Sequence, residues 1–84
     1  MLDDSAKGKI KTIVCDTLEI EEEELTEDSD FMSEHDADSM RLIEIVSALE
    51  LTFGVNIKES DTARLVDLNG VYAVLAEAQS AAAA

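Results

Sequence analysis

Between Glu19 and Asp38 the chain carries eleven carboxylates and neither Lys nor Arg. A stretch of that kind repels itself and holds too little apolar surface to order on its own, so the fold has to be built on either side of it. Within it, Ile20, Leu25, Phe31 and Met32 are the four side chains able to pin a long loop onto a core. On both flanks the apolar spacing is helical. Ile10, Ile13, Val14 and Leu18 recur at i, i+3, i+4 and i+8, and Leu42, Ile45, Val46, Leu49 and Phe53 at i, i+3, i+4, i+7 and i+11. Gly54 is a natural stop for the second of these helices, and Val55 and Ile57 form an apolar link beyond it. Ser60 or Asp61 can cap a brief third helical element through Leu65. Asp67 can cap a last helix that buries Val71, Tyr72, Val74, Leu75 and Ala78, with Gly70 tolerated in its first turn. No segment alternates at period two for long enough to make a sheet, and none repeats. The expectation is an all-α four-helix bundle with a long loop between helices 1 and 2 and a short third helix. Residues 1–80 would form one domain and 81–84 a disordered Ala tail.

The 84 residues include 20 acidic and 6 basic side chains, a net charge of −14. Such a polyanion is repelled by nucleic-acid backbones and anionic lipid, which points to proteins with basic patches as partners. A 46% apolar content separates the chain from a simple acidic tail. Cys15 is the only cysteine, which excludes an internal disulfide, and Met1-Leu2-Asp3-Asp4 does not begin a secretion signal. The longest uninterrupted apolar run, Val71 to Ala76, is far short of the roughly 20 residues that span a bilayer. The expected home is the cytoplasm, away from membranes, as a monomer.

Candidate chemistry reduces quickly. Asp28, Asp30, Asp36 and Asp38 have the alternate spacing of calcium loops, but Phe31-Met32 and Met40 occupy positions where oxygen ligands and a turn glycine are required. Cys15 and His35 are two soft ligands at unrelated positions, short of a zinc set. His35 is read as a loop or packing residue, Cys15 and Tyr72 as packing, and Leu51 as an isolated surface leucine. A nucleophile, base and orienting acid cannot be assembled from this inventory, so an independent hydrolase is excluded.

Ser39 remains. In Asp36-Ala37-Asp38-Ser39-Met40-Arg41 it lies at or beside the N-cap of the second helix, where capping by Ser or Asp is the ordinary explanation of such a dipeptide. The same place puts its hydroxyl at the positive end of a helix dipole, which favours an attached phosphate ester. Asp38-Ser39-Met40 resembles the Asp-Ser-Leu hallmark of the acyl carrier proteins, at the start of the second helix of a four-helix bundle. The resemblance runs without a gap from Ile10 to Leu75. It takes in Phe31, Ile45-Val46-Ser47-Ala48-Leu49-Glu50, Phe53-Gly54-Val55-Asn56-Ile57, and Leu65, Asp67, Leu68 and Val71.

The resemblance implies a fold of acyl-carrier type and a non-enzymatic role. A separate phosphopantetheinyl transferase would move 4′-phosphopantetheine from coenzyme A onto Ser39, and the arm's thiol would hold acyl groups as thioesters. An acyl-loading enzyme and a ketosynthase or other acyl-transferring enzymes would be its partners. Their recognition surface would include Asp38, Met40, Arg41, Glu44 and Ser47. His35-Asp36 stands where the family usually has Leu-Gly, and Asp36 in place of Gly would disturb the turn. Met40 replaces Leu at similar volume. Arg41 sits where an acid is common, and Ser47 and Leu51 replace other familiar surface residues. These departures point to a discrete carrier of polyketide or other specialised biosynthesis. A fatty-acid carrier and an aminoacyl or hydroxyacyl carrier are the alternatives within the family. A non-covalent acidic protein-binding module is the alternative of another class.

Overall fold

The computed structural model describes residues 3–35 and 37–83. Four α-helices follow one another, α1 (Asp4–Leu18), α2 (Phe31–His35), α3 (Ser39–Phe53) and α4 (Leu68–Ala83), with 3₁₀ turns at Glu22–Glu24 and Glu59–Arg64. The three long helices and the second 3₁₀ segment form the expected bundle, the 3₁₀ segment serving as its short third helix.

Each long helix starts where a side chain can take up free backbone N–H groups. Asp3 accepts from Ala6 N at 2.8 Å, Asp38 from Arg41 N at 3.0 Å and Asp67 from Gly70 N at 2.9 Å. Gly54 ends α3 in the left-handed region at φ 64°, as its place after the apolar stripe implies. Glu19 ends α1 in the same conformation at φ 58°, an unusual role for a residue with a Cβ. The third element departs from expectation at its start. Its flanking residue is Lys58, and neither Ser60 nor Asp61 caps it, because both lie inside the 3₁₀ turn. At the far end, helical backbone runs on through Ala83, past the expected start of a disordered tail, as the high helix propensity of Ala favours. Ala84 lies outside the described residues.

The core is made by the sides that the spacing marked out. Ile10, Val14, Phe31, Ile45, Leu49, Val71 and Leu75 are fully buried, joined by Leu25, Leu65, Leu68 and Val74. Ile13, Val46, Phe53, Ile57, Tyr72 and Ala78 pack around them half-buried. The acidic segment is held more firmly than a loop pinned by side chains alone. Phe31 N donates to Val66 O at 2.8 Å and Asn69 N to Glu27 O at 3.1 Å, tying the segment to the approach to α4. Of the four expected pins, Leu25 and Phe31 are buried and Ile20 is half-buried, whereas Met32 is 50% exposed and pins nothing. The reason is the helix α2, in which neighbours face opposite sides. Asp30 opens it by accepting from Met32 N and Ser33 N, and Glu34 Oε2 returns to Asp30 N at 2.7 Å.

Gly70 is more than tolerated. A Cβ there would lie 2.1 Å from the Arg64 carbonyl oxygen, so only glycine lets the start of α4 approach the 3₁₀ segment this closely. The Arg64 side chain fastens the same pair of elements, with a two-pronged ion pair to Glu77 at 2.9 and 2.6 Å and a contact to Asp61 at 3.4 Å. Its partnership with Arg64 holds the Glu77 carboxyl below its ordinary value.

Candidate functional site

Asp38 and Ser39 divide two tasks that their sequence leaves joined. Asp38 is the N-cap, with extended backbone and a carboxylate that accepts from Arg41 N, and Ser39 is the first residue of α3. The cap is therefore supplied without the serine. Ser39 is exposed, with its hydroxyl at the positive end of a 15-residue helix. Phe31 and α2 fix the approach to it, and the chain returns through Ala37, which is buried and donates to Phe31 O at 2.9 Å. Asp36 lies outside the described residues, and with it the expected disturbance of the turn.

Beside Ser39 a groove opens between α3 and the 3₁₀ segment Glu59–Arg64. Ser39, Met32, Leu42, Ile43, Thr62 and Ala63 line a hollow of about 360 Å³. A second hollow, of about 470 Å³, shares Met32, Leu42, Thr62 and Ala63 and is closed by Leu65 and Val66. The sequence gives no direct sign of this groove, which needs the 3₁₀ segment to be placed against α3. The exposure of Met32 is accounted for here, since it forms a wall of both hollows.

The other residues expected at a recognition surface separate into two groups. Met40, Glu44 and Ser47 stand exposed along α3, Met40 at 65%. Arg41 is turned inward at the end of α1. Its Nη1 donates to Thr17 O at 2.8 Å, its Nη2 lies 3.6 Å from a Glu19 carboxylate oxygen, and Nη1 lies 3.7 Å from Glu44. The guanidinium thus meets the free carbonyl end of α1 and fixes the start of α3 against it.

The remaining candidates resolve into structural tasks. Asp30 and Asp38 of the calcium-like spacing each cap a helix, and Asp28 Oδ1 accepts from the Thr26 hydroxyl at 3.0 Å. Cys15 is buried at 3% exposure, and burial together with the nearby Glu22 pushes its thiol above the ordinary range. His35 closes α2 instead of lying in a loop, and its Nε2 is buried with no hydrogen-bond partner among the described residues. It is therefore not hydrogen-bonded to Ser39 through that nitrogen as a base would be. Among the described residues, no three His, Cys, Asp or Glu side chains converge as a metal set, and no helix is long and apolar enough to cross a membrane.

The comparisons with known proteins agree with this geometry. Residues 8–75 match the family described as the phosphopantetheine attachment site. The "Polyketide-8 synthase acyl carrier protein 1" of Streptomyces avermitilis is 54% identical over 92% of this chain and 92% of its own length. The "Acyl carrier protein" of Petrotoga mobilis is 34% identical over 92% of this chain and 91% of its own. A chain in a solved structure described as "The ishigamide ketosynthase/chain length factor" superposes with a TM-score of 0.73 at 26% identity, covering 90% of this chain and 96% of that one. An exposed serine on the first turn of a capped helix is the setting that a phosphopantetheine arm requires. With most of its length matched to the attachment-site family, the chain belongs to the acyl carrier proteins, which hold acyl groups on a covalent 4′-phosphopantetheine arm.

Proposed function

We propose that Ser39 is the attachment residue and that this carrier serves polyketide biosynthesis. The observation that carries the assignment is the division of labour at the start of α3: Asp38 caps the helix and leaves the Ser39 hydroxyl exposed for esterification. A phosphodiester at that place lies in the favourable field of the helix N-terminus. The residues present fit such an arm. Ser39 would hold it covalently, and the groove walls Met32, Leu42, Ile43, Thr62 and Ala63 offer an apolar surface beside the anchor. When attached, the arm supplies a terminal thiol that carries acyl groups as thioesters.

Loading requires an external enzyme, because Ser39 has no base of its own. In the transfer, the Ser39 oxygen forms a bond to the phosphorus that bears the pantetheine unit of coenzyme A. The pyrophosphate P–O bond breaks, adenosine 3′,5′-bisphosphate leaves, and the serine proton passes to a base of the transferase. The chain is then a carrier and not a catalyst. Its surface partners are the transferase, an acyl-loading enzyme and a ketosynthase, met along Asp38, Met40, Glu44 and Ser47, with Arg41 supporting that surface from behind. It works in the cytoplasm as a monomer. The polyketide assignment is favoured over fatty-acid, aminoacyl or hydroxyacyl carriage by the 54% identity to a protein named for a polyketide synthase.

Incubation with coenzyme A and a broad phosphopantetheinyl transferase tests the reading by intact mass. The wild-type chain is expected to gain one arm and Ser39→Ala none. A wild-type chain that gains nothing would favour a non-covalent acidic binding module.

A further inference from the structure

The charge of this protein is not spread over the helix that its loading enzyme has to touch. The chain carries a net −14, yet α3 holds only Arg41, Glu44 and Glu50 as charged side chains. Two of those three are turned to internal work. Arg41 bonds to the Thr17 carbonyl, and Glu50 Oε2 accepts from Ile57 N at 2.8 Å in a half-buried contact that fixes the chain leaving α3. Glu44 is exposed, but Arg41 lies 3.7 Å away as its i+3 neighbour and offsets its charge.

What the helix shows to solvent is apolar. Met40 is 65% exposed, Ile43 54% and Leu51 87%, with Ser47 between them. At 100° per residue, Met40, Ser47 and Leu51 fall within about 40° of one another and Ile43 lies one step toward Ser39, so the three apolar side chains form one strip. A single exposed leucine needs no explanation, but Leu51 is the far end of a strip whose near end adjoins Ser39. Leu51 stands about 18 Å along the helix from Ser39, within the roughly 800 Å² that one partner commonly covers in a specific complex.

We propose that α3 meets the phosphopantetheinyl transferase through the strip of Met40, Ile43 and Leu51, and that the loading enzyme it fits presents an apolar surface beside its coenzyme A site, not a basic one. The transferase is the occupant because it must bring coenzyme A to Ser39 and therefore cover the end of the strip. Large apolar side chains buried at the centre of a contact supply most of its affinity, while rim charges act mainly on encounter rate. The acidic segment Glu19–Asp38 would then serve solubility and long-range steering, and the strip the bound state.

This inference rests on the carrier reading, and the test separates the two. The full chain is loaded by a broad phosphopantetheinyl transferase with coenzyme A, and initial rates are followed by intact mass. Leu51→Ser and Met40→Ser are expected to raise KM at least fivefold with kcat within twofold of wild type, and Leu51→Ser to melt within about 2 °C of wild type, since its side chain is exposed. Glu44→Gln should cost less than Leu51→Ser, and Glu23→Gln, in the acidic segment, should stay within twofold. Raising NaCl from 50 to 300 mM should raise the wild-type KM less than threefold. A larger effect of Glu44→Gln than of Leu51→Ser, a steeper salt dependence, or an unchanged KM in Leu51→Ser would overturn the apolar docking while leaving the carrier function intact. Absence of loading in the wild type would overturn both.

Discussion

At the scale of single residues, the site depends on which of two adjacent side chains does the capping. Asp38 and Ser39 are both good caps, and the sequence leaves their roles interchangeable. Only the backbone geometry assigns the hydrogen bond to Asp38. The consequence for stability is specific. Asp38→Ala should lower the unfolding free energy by about 0.5–2 kcal/mol, while Ser39→Ala should stay within about 0.5 kcal/mol of wild type. Urea denaturation followed by circular dichroism measures both, and an equal loss in the two variants would contradict the assignment of the cap. Arg41 teaches the same lesson. In the linear chain it looks like a surface departure from an acidic pattern, and nothing in the local sequence reveals that its guanidinium reaches back across the bundle to Thr17. Residues that act within one helical turn were legible in the sequence, whereas those whose partner lies on another element were not.

At the scale of elements, the three long helices follow from apolar spacing and cap chemistry, since i, i+3 and i+4 recurrences are local and strong. The element that spacing hides is α2, only five residues long and set within a run of acids. A signal was there in Asp30 and Glu34, whose reciprocal bonds open the helix, but the surrounding carboxylates mask it. Glu19 is equally opaque, because the left-handed end of α1 carries no glycine to announce it. The glycines inside helices make opposite expectations. Gly8→Ala meets open space in α1 and should stabilise by up to about 1 kcal/mol through helix propensity. Gly70→Ala forces a Cβ against the Arg64 carbonyl and should destabilise by about 1–3 kcal/mol. Thermal unfolding of the two variants checks the pair, and a stabilised Gly70→Ala would show that α4 and the 3₁₀ segment are not packed as described.

At the scale of the whole molecule, a core of buried aliphatic side chains works against the self-repulsion of a −14 chain. Added salt should therefore stabilise it, because the screening length shortens from about 30 Å at 0.01 M to about 8 Å at 0.15 M. A melting temperature that falls over that range would contradict this. Acid adds a second, opposite influence. Asp30, through the N–H groups of Ser33 and Met32, and Glu77, through Arg64, are held below their ordinary values of 3.8 and 4.5. A carboxyl depressed in the folded state contributes stability that is present above its unfolded value and is lost as pH falls through the folded one. Below about pH 4.5 the Glu77 contribution should fade, and Glu77→Gln should flatten that part of the profile in denaturation at fixed ionic strength. An unchanged profile in the variant would remove the Arg64 pair from the account of acid sensitivity.

The most direct measurement is peptide mapping by tandem mass spectrometry of the chain produced together with a phosphopantetheinyl transferase. Ser39 should carry the phosphodiester arm, with Ser29, Ser33, Ser47 and Ser60 unmodified. A chain that remains unmodified throughout, or one whose arm maps to another serine, would contradict the central claim.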